Sequence, residues 1–211
     1  NSTGILYVTD SRFSKVFGFN KNNGMPVLSF GEPGKYKNLS GIVVDEARDR
    51  LYVTDTQNHI VRVFTKKGTP LFTIGKRGKE NGEFNFPSFL AVDKRGNLYV
   101  SDSFNFRVQI FDSEGRFIRT FGRVGDVSGT FTRLKGIGVD SDGNIYAVDA
   151  AFGNFQIFNQ EGKLLLAVGE GGIDPGKFYL PTGMFIDDKD RIYVSDTANA
   201  RIQVFQYLKV K

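Results

Sequence analysis

The chain has 211 residues, a formal charge of +5 from 28 Lys and Arg against 23 Asp and Glu, no cysteine and a single histidine. The missing cysteines exclude disulfides and thiolate metal ligands, one histidine excludes a zinc-binding histidine cluster, and a small positive excess with both signs mixed along the chain permits nucleic acid without indicating it. No segment approaches the roughly 18 uninterrupted apolar residues of a membrane-spanning helix, and Asn1-Ser2-Thr3-Gly4 has neither the basic start nor the apolar stretch of a signal peptide.

In chain order the dominant signal is a repeat. The pattern apolar-Tyr-apolar-x-Asp occurs at Leu6 to Asp10, Leu51 to Asp55, Leu98 to Asp102, Ile145 to Asp149 and Ile192 to Asp196, with its Asp at intervals of 45, 47, 47 and 47 residues. A fixed period of this length decides the architecture before local propensity does. Each full unit opens with a Gly-rich loop ending in Phe (Phe84, Phe131, Phe178). A short, nearly continuous apolar strand follows, closed by Asp45, Asp93, Asp140 or Asp187. Such a run suits a strand buried on both faces, and we expect it innermost. A turn leads to the Tyr-containing second strand. A polar loop and a third strand ending in Phe19, Phe64, Phe111, Phe158 or Phe205 come next, and a Gly turn leads to a fourth strand. Four antiparallel strands per unit make a β-propeller blade. The expected fold class is therefore all-β: a single propeller domain over residues 1–211, with blade units near 1–31, 32–75, 76–122, 123–169 and 170–211, the first and last incomplete, and about 18 strands.

At Tyr99 to Phe111 and Tyr193 to Phe205 the sequence resembles the NHL repeat family, and the likeness covers essentially the whole chain. It implies a six-bladed ring, so we expect at least one further blade and a signal segment upstream of Asn1. The ending 206–211 lacks the Gly turn of a fourth strand. The resemblance also implies an exported protein, in the bacterial envelope or outside the cell.

Repetition separates scaffold from site. Asp10, Asp55, Asp102, Asp149 and Asp196 recur in every unit, with Lys15, Arg107 and Arg201 five residues after three of them. They are expected to form ion pairs or turn bonds. The Asp residues closing the inner strands are expected to cap turns rather than act as general acids. Asp140-Ser141-Asp142-Gly143-Asn144 superficially suggests a calcium loop but lacks the downstream bidentate Glu, and reads as a hairpin turn. His59, in a variable loop, is expected to play a surface or turn role. No catalytic, metal or cofactor residues are assigned.

Residues that break the repeat gather in the fourth-to-first and second-to-third strand loops, which propeller topology puts on one face. Arg12, Phe13, Lys76, Arg77, Phe104, Phe106, Arg123, Arg133 and Phe152 are the candidate partner-binding residues. Aromatic and arginine side chains on a rigid face point to a non-catalytic scaffold for a protein partner. Single-stranded RNA, with phosphates on the cations and bases on the aromatics, is the alternative. A propeller lyase or hydrolase ranks third.

Overall fold

The computed structural model describes residues 4–32 and 34–207; residues 208–211, most of the ending expected to lack a fourth strand, lie outside the described residues. Alternating apolar positions and Gly turns produce eighteen strands in five antiparallel sheets among them. Blade 1 holds β1 (Ile5–Asp10), β2 (Lys15–Asn20) and β3 (Pro26–Phe30). Blade 2 holds β4 (Leu39–Asp45), β5 (Arg50–Asp55), β6 (Ile60–Thr65) and β7 (Pro70–Ile74). Blade 3 holds β8 (Pro87–Val92), β9 (Leu98–Asp102), β10 (Arg107–Phe111) and β11 (Phe117–Phe121). Blade 4 holds β12 (Leu134–Val139), β13 (Ile145–Asp149), β14 (Asn154–Phe158) and β15 (Leu164–Val168). Blade 5 holds β16 (Pro181–Ile186), β17 (Arg191–Asp196) and β18 (Arg201–Gln206).

Every sheet is a simple meander. The inner strands β4, β8, β12 and β16 lie side by side around a channel, with β1 beside β4. This is the expected β-propeller, with the five blades or part-blades expected over this stretch of chain.

The expectation for the inner strand needs correcting. The strands buried throughout are the second ones of blades 3 and 4, Leu98 to Asp102 and Ile145 to Asp149, whose alternate side chains enter the cores on either side of the sheet. The inner strands are only partly buried, because one face lines a cavity of about 530 Å³. Ile42, Val44, Leu90, Ile137, Val139 and Met184 make its wall mostly apolar.

Each Gly-rich loop delivers its Phe into the blade core. Phe84 packs on Phe111 (ring centroids 5.5 Å), Phe131 on Phe158 (5.7 Å) and Phe178 on Phe205 (5.8 Å). Burying each such ring contributes about 2 to 3 kcal/mol. The glycine ending the fourth strand makes this possible. Gly122 has φ +91°, and a Cβ there would lie 2.6 Å from the Phe131 ring. A second internal tie recurs where the Tyr hydroxyl of the second strand donates to the Asp that closes the inner strand, as Tyr99 to Asp93 (3.1 Å) and Tyr146 to Asp140 (3.0 Å). Burial first, then the facing carboxylate, pushes the Tyr99 phenol up to about 12, so both stay protonated donors. The same carboxylates accept turn N–H groups, Asp93 from Arg95 and Asn97 and Asp140 from Asp142 and Asn144, which matches the expected turn capping.

Candidate functional site

The repeated Asp after each second strand builds the loop face. In blade 3, Asp102 is fully buried and pairs with Arg107 Nε at 2.9 Å. It also accepts hydrogen bonds from Asn105 Nδ2 (2.8 Å), Gln109 Nε2 (3.0 Å) and the Asn85 N–H (2.7 Å). Arg107 and Asn105 continue outward to the carbonyls of Glu80, Glu83 and Gly78. One buried carboxylate thus ties the second-to-third strand loop to the fourth-to-first loop, and puts both on one face. Blade 5 repeats the arrangement with Asp196, Asn199, Arg201 and Gln203. Burial would raise the Asp196 carboxyl, but hydrogen bonds from Asn199, the Tyr179 N–H, Arg201 and Gln203 outweigh it and hold the group below its ordinary range.

The other blades vary this clamp between the two expected forms, ion pair and turn bond. Lys15 makes no ion pair with Asp10 among the described residues; Asp10 Oδ1 instead accepts the Arg12 and Phe13 N–H groups (both 2.9 Å). In blade 2 the cation sits two residues further on, as Arg62, 2.7 Å from Asp55 and over the Tyr36 ring at 4.1 Å. Asp149 in blade 4 has no cationic partner among the described residues and is held by the N–H groups of Thr132, Arg133, Ala151 and Phe152.

His59 takes the turn role of its two expected roles and not the surface one, since it is buried. It takes a left-handed conformation (φ +58°) after the 3₁₀ turn Thr56–Asn58, and its Nδ1 accepts the Phe86 N–H at 3.1 Å. Its ring lies 4.6 Å from Phe86, and Phe86 lies 5.0 Å from Phe104. The result is a three-ring stack rising from the blade 2 and 3 loops to an exposed Phe104. Burial, then the nearby Arg77 charge, lowers the His59 pKa and keeps the ring neutral. Sequence reasoning missed the stack because Phe86, at the start of an inner strand, reads as core.

Of the nine candidate residues, seven stand exposed: Arg12, Phe13, Lys76, Arg77, Phe104, Arg123 and Arg133. Phe106 is a correction, packed as it is against the blade 3 and 4 core, and Phe152 is half-buried. Lys76 is paired with Glu83 (3.2 Å). Arg77, Arg123 and Arg133 are exposed and make no ion pair among the described residues, and the charge of Arg77 acts on His59. Arg12 lies over the Phe13 ring at 5.9 Å, a separate aromatic and cationic pair on blade 1.

Meandering four-stranded sheets arranged around a channel define a β-propeller built from repeated blades. The NHL repeat family model matches residues 84–111 and 178–205, so the stretches that lead from the loop Phe to the end of the third strand in blades 3 and 5 are NHL repeats. Protein brain tumor of Drosophila melanogaster is 34% identical over 67 residues, a match that spans 30% of this chain and 6% of the fly protein. Among solved structures, virginiamycin B lyase from Staphylococcus aureus, in a catalytically inactive variant with quinupristin, superposes with a TM-score of 0.69 at 14% identity, over 97% of this chain and 67% of that one. BamB from Moraxella catarrhalis gives a TM-score of 0.63 at 15% identity, over 97% and 55%. A protein of unknown function from Bacteroides thetaiotaomicron gives 0.71 at 18%, over 97% and 56%. At these identities the likeness to solved structures shows the fold alone.

Proposed function

We propose that this propeller is a non-catalytic binding or assembly scaffold whose loop face receives a protein partner. The observation that carries the reading is Phe104, 62% exposed yet supported by Phe86, which packs on His59, with the charge of Arg77 acting on that same histidine. A rigid aromatic with an adjacent arginine is the composition of an interface hot spot, because the ring loses little entropy on docking and the guanidinium offers five donors. The histidine supports a structural rather than a chemical role, since its Nδ1 is already engaged by a backbone N–H. We extend the proposal to an exported setting, in the bacterial envelope or outside the cell, on the resemblance of the blade sequences; fractionation of the native protein tests that part.

The partner reading is tested by cross-linking mass spectrometry in the native host. Cross-links should fall on the loop face and be lost with Phe104→Ala and Arg77→Ala, but survive Lys94→Ala on the opposite face. Cross-links indifferent to both faces would sink it.

The exposed Arg77, Arg123 and Arg133, without ion pairs among the described residues, favour a second reading, single-stranded RNA. Fluorescence anisotropy with an oligouridine probe separates the two, because phosphate-led binding must weaken steeply with salt. Binding unchanged between low and moderate salt excludes it.

A further inference from the structure

Blade 4 breaks the repeat at the start of its inner strand. In blades 2, 3 and 5 the second residue of the inner strand carries a hydroxyl that meets a hydroxyl just after the second strand: Ser40 with Thr56 (2.7 Å), Ser88 with Ser103 (2.6 Å) and Thr182 with Thr197 (2.7 Å). Blade 4 has Lys135 and Ala150 at these positions, and Val148 where the second strands of the same three blades have Thr54, Ser101 and Ser195. Every hydroxyl at this point has been removed and an ammonium group put in.

The backbone holds Lys135 in place. It lies in the register irregularity between Leu134 and Ile137, a feature that re-aims side chains. Ser101 Oγ donates to its carbonyl at 2.7 Å. The next residue, Gly136, approaches blade 5 so closely that a Cβ would lie 2.6 Å from the Thr182 carbonyl oxygen. The Lys135 side chain is half-buried and makes no hydrogen bond or ion pair among the described residues. Burial first, then the like charge of Arg133 two residues before it, lowers its pKa. The blade's own carboxylate, Asp149, is already surrounded by backbone N–H groups. Two adjacent cations, one partly desolvated and without a counter-ion, are at lower energy once an anion joins them.

We propose that Lys135 and Arg133 form a carboxylate site at the start of the blade 4 inner strand that seats one acidic side chain of the protein partner. This rests on the protein-binding reading above and names the chemistry the partner brings. A single carboxylate fits better than a nucleic-acid strand, because the neighbouring blade 5 loop carries Glu170 and Asp174, both paired with Lys177, and so offers no free cation among the described residues to continue a run of phosphate contacts.

The test uses protein carrying 13Cε-labelled lysine, titrated at constant ionic strength with the capped peptide acetyl-Gly-Glu-Gly-amide and, separately, with inorganic phosphate. The double variant Lys135→Ser/Ala150→Ser identifies the Lys135 signal and installs the hydroxyl pair of the other blades, so it should fold. The Lys135 signal should move saturably with the peptide while Lys94 and Lys163, exposed on the opposite turns, barely respond. In the cross-linking assay the double variant should hold the partner about tenfold more weakly, the loss of one charged contact. Lys135 moving in step with Lys94 and Lys163 reports general screening and overturns the site. Saturation by phosphate with no response to the peptide overturns the carboxylate assignment. Undiminished partner binding by the double variant, with Phe104→Ala still defective, overturns the site and leaves the scaffold reading intact.

Discussion

The interior blades and the two end blades carry the same repeat in different surroundings. On the third strand Val61, Val108 and Phe155 are buried to within 1%, whereas Ile202, at the same repeat position in blade 5, is 67% exposed. On the second strand Leu51, Leu98 and Ile145 are completely buried, whereas Leu6 in blade 1 is 55% exposed. The repeat therefore decides which side chains point sideways out of a blade. Their energy is realised only where a neighbouring blade lies against them, as expected of an architecture stabilised by nearest-neighbour contacts.

The largest expected effect tests that difference directly. Phe131→Ala, in the core of an interior blade, should lower stability in urea by about 3 to 5 kcal/mol, while Phe185→Ala on the exposed side of blade 5 should change it by no more than about 0.5 kcal/mol. Equal losses at the two sites would break the comparison. The clamps give the next contrast: Asp102→Ala strands a largely buried Arg107 and should cost about 3 to 5 kcal/mol. Asp10→Ala removes only exposed turn bonds and should cost about 1 kcal/mol.

A smaller effect is expected from pH. The folded-state pKa of His59 is lowered, so the unfolded chain binds more protons between that value and the unperturbed one. Its contribution to stability is full above pH about 6.5 and is lost as pH falls through the lower folded value. Comparing denaturation midpoints of the wild type and His59→Gln across this window checks the sign; a midpoint difference that does not shrink on acidification contradicts it. The smallest effect on stability is that of Phe104→Ala, within about 0.5 kcal/mol, because its ring caps the stack rather than filling the core. A larger loss measured by thermal unfolding would move Phe104 from the interaction surface to the scaffold.

Much of this molecule was legible in the chain. The 47-residue spacing of Asp55, Asp102, Asp149 and Asp196, the Tyr preceding each, and the Phe and Gly at loop ends sufficed for the blade, its four strands and its turns. Local periodicity carries that information, since strand pitch and turn chemistry are properties of neighbouring residues. The loop face was legible as a set of pattern breakers, and seven of the nine stand exposed. Phe106 was misjudged because its neighbour Phe104 looks the same in sequence. Phe104 lies in the middle of the 3₁₀ turn Ser103–Asn105 and is exposed, whereas Phe106 follows that turn and packs against the blade 3 and 4 core.

The sequence by itself determined the repeat, the strand order within each blade and the turn-capping acids, all of which follow from contacts close in the chain. Tertiary structure alone decided that the second strand, not the inner one, is the most buried, that His59 supports Phe86 and Phe104, and that Lys135 stands beside Arg133 where the other blades pair hydroxyls. Each of these depends on how one blade faces the next and on where the channel leaves a strand uncovered. Desolvation and charge pairing at such places are set by atoms tens of residues away, so no local pattern records them.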